Sequence, residues 1–455
     1  MGCPATCVRG RESITRRSPE ASSLTPAHDG RFHFNNAAAL TFVNPVQPEV
    51  CHAGVMTIPA ALARRRSYAG PALFSYGFRP FFLGAALWSA VGVLLWVRQY
   101  FGEISLPVAM AVLDWHAHEM LYGYVAAVIA GFLLTAIPNW TGRLPVCGWP
   151  LAGLALLWLA GRAAIFMSAT IGAVVAAAID ISFLAVLAAV ALREIVAGRN
   201  WRNLRVLGVI GVLVLGNVVW HVELLRWGAG NYGVRIAVAA VVALITLVGG
   251  RIVPSFTRNW LVRMNPGRVP EPFSRFDAVA IGVGVIALAL WVALGSGPVA
   301  GLSLMMAGAL HLVRLARWAG DRTVSDRLVL VLHVAYAFVP VGFLLVGAAL
   351  LWPQAIAASA GIHAWTIGAV GLMTLAVMTR ATLGHTGRPL AASLATQIIY
   401  LCALVAALAR IAAALGGWTD LLYVAGLAWI AAFGGFAVIY GPLLVARPPV
   451  WSAPH

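Results

Sequence analysis

Residues 114–138 read DWHAHEMLYGYVAAVIAGFLLTAIP, and this stretch decides the fold. Behind a polar start it runs on as an apolar segment long enough to cross a bilayer, which takes ~20 residues. Similar runs recur along a chain of 455 residues that is 61% hydrophobic and 10% charged, with a mean hydropathy of +0.87. They do not alternate in the ~10-residue units of a membrane β-barrel. We therefore predict an all-α fold, a polytopic membrane helical bundle.

Twelve membrane spans are expected, at residues 80–98, 117–137, 150–168, 171–193, 204–225, 234–253, 276–295, 298–316, 328–351, 362–381, 391–414 and 420–444. Arginines are frequent in the loops after even-numbered spans and in the flank before span 1, but rare after odd-numbered spans. By the positive-inside rule, both the N and the C terminus are then cytoplasmic. The net charge of +16 is therefore a topology signal, and we expect a lipid bilayer and no nucleic acid as partner.

The chain divides into three parts by composition. Residues 1–66 are polar, and we expect this extension to be disordered or to include a misassigned start, since MTIPAALARRRSYAG from Met56 resembles a natural one. Residues 67–447 form the membrane domain, and residues 448–455 a short tail. The five cysteines form no C-x-x-C pair, which argues against a disulfide framework or a cysteine metal site.

Histidines inside or at the ends of spans are functional candidates, because ionisable groups are costly in a membrane. The topology sorts them into an outer group, His116, His118, His221 and His363, and an inner group, His311 and His333. Imidazole suits copper, zinc and haem iron. Histidines that reach one depth from separate helices can converge on one ion or haem. We therefore expect an outer metal site, with His311 and His333 as a second site.

The two histidines of the opening stretch differ in direction. His116 and His118 are about 200° apart around an α-helix of 3.6 residues per turn, so only one can face a given site unless the turn is frayed. Glu119 and Met120 share a face with His116, where they could supply a second-shell carboxylate or a thioether ligand.

Two further observations concern pairing. Arg162 and Asp180 lie at similar depths in spans 3 and 4, which predicts a structural ion pair, with a proton relay as the alternative. His118 precedes Arg143 of a TGR sequence by 25 residues, and His363 precedes Arg388 of a second TGR by the same 25. Spans 2, 6 and 10 are therefore candidates for equivalent helices of an internal repeat, and His118 is the better candidate for a paired ligand.

Long motifs resemble those of the NnrS family. They are PALFSYGFRPFFL (71–83), HAHEMLYGYVAAVIAGFLLTAIPNWTGR (116–143), GNVVWHVELL (216–225), GGRIVPSFTRNWL (249–261) and HAWTIGAVGLMTLAVMTRATLGHTGRPL (363–390). The resemblance implies a multi-pass protein of the bacterial inner membrane that contains haem and copper and acts in denitrification and in resistance to nitric oxide and nitrosative stress. It does not imply which histidine holds which group, so the histidines of both groups are retained as candidate ligands. Arg410 could meet a haem propionate.

Two other functions remain open. A secondary transporter would fit twelve spans with a repeat, although few polar residues lie near the midplane of the bilayer. A quinol-linked haem–copper oxidoreductase would lack the adjacent His-His pair of a binuclear centre. Catalytic turnover is not required by either the residues or the resemblance, and an enzyme of this kind would be a haem–copper redox protein.

Overall fold

The structure is a computed structural model, and it describes residues 68–447. The predicted extension at 1–66 and the tail at 448–455 therefore lie outside the described residues. Within residues 68–447 there is no strand, and twelve helices are long and apolar enough to span a membrane. The prediction of an all-α, twelve-span membrane bundle is confirmed, while the cytoplasmic position of the termini stays a prediction.

The twelve helices follow one another with short connections. They are α1 Phe78–Tyr100, α2 Val112–Thr141, α3 Trp149–Phe166, α4 Ala173–Ala197, α5 Trp201–Trp227, α6 Tyr232–Met264, α7 Arg275–Leu294, α8 Pro298–Ala316, α9 Arg327–Leu351, α10 Ala358–His385, α11 Leu394–Gly416 and α12 Asp420–Val445. Helix formation follows from the bilayer, which offers no water to the backbone, so each span must satisfy its own N–H and C=O groups.

Two helices run past prolines that were expected to end them. The predicted spans stopped before Pro138 and Pro254, yet α2 continues to Thr141 and α6 to Met264. Proline is tolerated inside membrane helices because neighbouring groups, including threonine hydroxyls, satisfy the freed backbone atoms.

Consecutive helices pack against each other, and α12 returns to pack against α1. The most deeply buried spans are α2, α6, α9 and α10. Since membrane helices alternate in direction, the N-termini of α2 and α10 and the C-terminus of α5 lie at one end of the bundle. This end carries the four predicted outer histidines and is called the histidine end below.

Helices α2 and α10 share an irregularity. A π-helical segment runs over Glu119–Val125 in α2 and over Ala364–Gly371 in α10. Each begins one residue after a histidine, His118 or His363, that opened the predicted repeat. Short π-helical segments within α-helices are rare and occur often at functional sites. The equivalent positions of the two π-helices support the predicted repeat and indicate that the adjacent histidines, His118 and His363, are functional.

Candidate metal centre

Asp180 of α4 is the hub of a buried polar cluster at the histidine end. Its Oδ1 accepts a hydrogen bond from Nη2 of Arg162. Its Oδ2 accepts from Nδ2 of Asn217 at 2.8 Å, and lies 3.1 Å from Nε2 of His221 and 3.2 Å from Nε2 of His118. Helices α2, α3, α4 and α5 each contribute to this arrangement, and the Asp180 side chain is 1% exposed.

Glu119, the first residue of the π-helix in α2, is a second buried carboxylate beside it. Its Oε1 lies 2.6 Å from Nη1 of Arg162 and 3.0 Å from Nδ1 of His118. Its Oε2 accepts a hydrogen bond from the indole of Trp88 at 2.6 Å. We call the whole set the histidine–carboxylate cluster: His118, Glu119, Arg162, Asp180, Asn217 and His221.

The charge of this cluster is unbalanced. Glu119 and Asp180 contribute two negative charges when ionised, and Arg162 contributes one positive charge, so the sum with neutral histidines is −1. A buried uncompensated charge is costly. A cation held between the carboxylates and the imidazoles, either a proton on one of them or a metal ion, would balance the cluster.

The donor atoms have a spacing that suits a metal ion. One ligand atom from each of His118, Asp180 and His221 lies within 4.8 Å of the other two, and all three residues are buried. Two imidazole nitrogens and one carboxylate oxygen form a donor set that binds copper, zinc or iron. Nδ1 of His118 faces Glu119, which is the usual arrangement for a ligating histidine whose second nitrogen contacts a carboxylate. The chain's own groups therefore fit a metal ion.

Glycine at position 123 lets the π-helix approach the cluster. A Cβ there would lie 2.8 Å from Nε1 of Trp88, 2.9 Å from Nη1 of Arg162 and 3.0 Å from Oε2 of Glu119. All three distances are shorter than a carbon atom tolerates in a packed interior, so any larger residue would displace the groups that hold Glu119.

A second pair of histidines lies at the same end of the bundle. His116 and His363 interact electrostatically with each other and with Arg410 of α11. The ring of His116 stacks on Trp96, with centroids 4.1 Å apart, and its buried Nδ1 has no hydrogen-bond partner among residues 68–447. Nδ1 of His363 lies 2.7 Å from the carbonyl of Ser359 and must donate its hydrogen to it. The lone pair of Nε2 is then available to bind a metal.

The chemistry of this pair differs from that of the first cluster. His116 and His363, from separate helices, would be the imidazoles that hold a haem iron. A backbone carbonyl that receives the second N–H of a ligating histidine is a common support for such a ligand. Nε of Arg410 is buried and lacks a hydrogen-bond partner in the described part of the chain, so it can receive an anionic group such as a propionate. The residues present fit a haem in their donor types.

The structure thus divides the four outer histidines into two pairs. His118 lies with His221, and His116 lies with His363, whereas the repeat had favoured His118 as the partner of a matching histidine. The separation of His116 from His118 follows from their angular offset around the helix. Glu119 was expected on the face of His116, but it contacts His118, because the π-helix that starts at residue 119 changes the angle between successive residues.

Other predicted residues have the following positions. Arg162 and Asp180 are in direct contact, and within the histidine–carboxylate cluster Arg162 also contacts Glu119 while Asp180 also contacts both histidines. Met120 packs towards Gly92, where an added Cβ would lie 3.0 Å from the Met120 methyl carbon.

The predicted second site, of His311 and His333, lies towards the opposite end of the bundle. Nδ1 of His311 is 2.9 Å from the hydroxyl of Tyr336, and Nε2 of His333 is 2.7 Å from the hydroxyl of Thr257. The two imidazoles thus have different hydrogen-bond partners, and neither belongs to the group of three metal-ligand residues found in the described chain.

Several residues of the two ends were not singled out from the sequence. Asn217 lies four residues before His221, a spacing that places both on one helix face. Asp277 and Arg314 form a further buried ion pair, 3.1 Å apart, which we call the distal ion pair. Both charged residues lie inside predicted spans, and that position alone marks them as candidates for a buried pair or a functional site. Unlike the first cluster, the distal ion pair is balanced in charge.

Comparison with known proteins agrees with the motifs. The family model described as NnrS protein matches residues 72–447, the whole described bundle apart from its first four residues. A search of curated proteins finds no match. The match covers well over half of the chain and includes every residue of both histidine pairs. The chain belongs to the NnrS family.

Proposed function

We propose that this protein binds copper at His118, His221 and Asp180 and haem at His116 and His363, and that it limits nitric oxide toxicity in the inner membrane of a denitrifying bacterium. The observation that carries the copper assignment is the spacing of the donor groups, because two imidazoles and one carboxylate of a buried cluster lie within 4.8 Å of one another. Copper binds strongly to such mixed nitrogen and oxygen donors.

The haem assignment rests on the second pair. His116 and His363 come from two helices and lie near Arg410, whose buried Nε has no hydrogen-bond partner among residues 68–447. His116 and His363 would hold the iron of a haem through their imidazoles, and Arg410 would receive a propionate.

Bound haem and copper would supply metal ions to which nitric oxide coordinates directly. The residues of the chain would hold these ions at one end of an apolar bundle, where a small uncharged gas partitions from water. Arg162 would fix both carboxylates of the copper site through its two Nη atoms, which face Glu119 and Asp180. Family membership supports this role.

A secondary transporter is the alternative from another class. Transporter sites lie near the bilayer midplane and gather polar groups there. The polar clusters of this bundle lie towards its ends, and the space between α2, α6 and α10 is lined by apolar side chains. This distribution favours a metal-binding protein over a transporter of polar solutes.

Purification in detergent, followed by visible spectroscopy and metal analysis, tests the proposal. We expect a haem Soret band together with copper. Copper should be lost in His118→Ala and His221→Ala with haem retained, and haem should be lost in His116→Ala and His363→Ala with copper retained. His333→Ala is the control, because its imidazole lies at the other end of the bundle, and it should retain both. A folded protein without colour or metal would contradict the proposal and favour the transporter.

A further inference from the structure

An apolar cleft of about 80 Å³, partly open to the outside of the bundle, lies between α2, α6 and α10, the three spans of the predicted repeat; we call it the cavity below. Its walls come from these helices alone. The lining residues are Val125, Val128, Ile129 and Phe132 of α2, Val241, Leu244, Ile245, Val248, Gly249 and Ile252 of α6, and Val370, Met373, Thr374 and Val377 of α10.

The cavity begins where the two π-helices end. Val125 is the last residue of the π-helix in α2, and Val370 lies one residue before the end of that in α10. Each stands seven residues after a histidine of the metal centre, which at 1.5 Å per residue is about 10 Å along the helix. The cavity therefore extends from below the histidine end into the middle of the bundle.

A smaller void of about 10 Å³ continues the cavity away from the histidines. The two share Ile252 and Val377 as lining residues. The smaller void ends at Phe256 and Arg380, whose guanidinium carbon lies 4.1 Å from the centroid of the Phe256 ring. The two spaces therefore lie next to each other along α6 and α10.

The lining determines what the cavity can hold. Thr374 has the one polar side chain among the residues that line the larger cavity. Its hydroxyl already forms hydrogen bonds with the hydroxyl of Tyr124 and the carbonyl of Gly371. A water molecule needs two to four polar partners, which this lining does not offer, whereas enclosed apolar cavities stay dry and bind small apolar ligands such as xenon. The volume is also below the ~300–1,000 Å³ of sites for drug-sized ligands.

We propose that this cavity is a passage and holding site for an uncharged diatomic gas, which reaches the metal centre through it. The inference rests on the proposed function for the identity of the gas, nitric oxide, while the affinity of the cavity for a small apolar atom depends on its shape alone. The gas would travel between α2, α6 and α10 and arrive at the level of the π-helices, next to the residues that hold the metals.

Xenon is the probe, because it is apolar, chemically inert and visible by anomalous scattering. Crystals of the purified protein under xenon pressure should show an atom between α2, α6 and α10. Val377→Phe, which fills the junction of the two voids, should abolish this peak. Val438→Phe is the control, because that side chain is 75% exposed on α12 and far from the cavity lining, and it should leave the peak unchanged.

A kinetic measurement then tests the passage. In metal-loaded protein, Val377→Phe should slow the association of nitric oxide several-fold and leave metal content and equilibrium affinity unchanged, while Val438→Phe should leave the rate unchanged. No xenon peak in the unmodified protein, or a lipid chain that xenon does not displace, would overturn the inference. So would an unaltered association rate in a Val377→Phe protein that has lost its xenon.

The two proposals fail separately. A protein that binds xenon in this cavity but contains neither haem nor copper would contradict the proposed function and leave the gas site standing. A protein with both metals and no xenon site would contradict the passage and leave the metal assignments standing.

Discussion

Replacing Asp180 and Asp277 by asparagine, one at a time, should separate metal binding from stability. Both carboxylates are buried and each forms an ion pair with a buried arginine. With neutral histidines, Asp180→Asn changes the charge of the histidine–carboxylate cluster from −1 to 0, and Arg162 keeps Glu119 as a partner at 2.6 Å. Asp277→Asn changes the distal ion pair from 0 to +1, because among residues 68–447 Arg314 forms an ion pair only with Asp277.

The expected magnitudes follow from these charges. Removing one partner of a buried ion pair and leaving the other charge uncompensated costs about 3–5 kcal/mol, which we expect for Asp277→Asn. Asp180→Asn should cost less, about 1.5–3 kcal/mol, for lost hydrogen bonds to a charged group. Asp180→Asn should lower copper affinity more than ~100-fold, which corresponds to about 2.8 kcal/mol. Loss of a residue that only supports a metal ligand lowers affinity by at most ~100-fold, so the larger loss is expected of a ligand. Copper affinity should not change in Asp277→Asn.

Two measurements on each variant decide the matter. Copper titration of the purified, metal-depleted protein gives the affinity, and SDS titration in mixed micelles gives the free energy of unfolding. Equal copper affinity in Asp180→Asn and the unmodified protein would refute the assignment of this carboxylate. Greater destabilisation by Asp180→Asn than by Asp277→Asn would refute the charge accounting.

Three further predictions use other parts of the chain. Gly123→Ala should weaken copper binding about 10–100-fold by displacing the groups around it, whereas Gly153→Ala, where a Cβ meets nothing within 4 Å, should leave copper affinity unchanged; equal affinities would contradict the packing argument. Gly250→Ala should lower the free energy of unfolding by about 1–3 kcal/mol, because the added Cβ would overpack against the guanidinium of the distal ion pair. Gly249→Ala is the control and should cost less in the same SDS titration, because its Cβ would lie at an ordinary 3.5 Å from its nearest neighbour. Cys147 should react with an impermeant thiol reagent only from the cytoplasmic side, and labelling from the other side would reverse the predicted topology.

The spans were predictable because their signal is local. Each helix is an apolar run of sufficient length, and the bilayer leaves a helix as the way to satisfy its backbone. The predicted spans ended too early at Pro138 of α2 and at Pro254 of α6, because local propensity takes no account of neighbouring helices. The contact of Arg162 with Asp180 was also predictable, from depth alone.

The pairing of the histidines was not predictable to the same extent. Depth placed His116, His118, His221 and His363 at one level, but the choice of partners depends on the rotation of each helix about its axis. A π-helix that begins at residue 119 alters this rotation, and no feature of the sequence predicts the π-helix. The distal ion pair shows the other difficulty, since a charge inside a span signals a buried partner without saying which one.

The coordination of copper tests the central claim most directly. X-ray absorption and electron paramagnetic resonance spectra of the purified, copper-containing protein report the number of imidazole nitrogens on the metal. We predict two in the unmodified protein and no change in His311→Ala, whose imidazole lies at the other end of the bundle. His118→Ala and His221→Ala, which lose their copper on purification, should each show one fewer imidazole when reloaded with excess copper. A spectrum in which the imidazole count is the same with and without His118 and His221 would contradict the account.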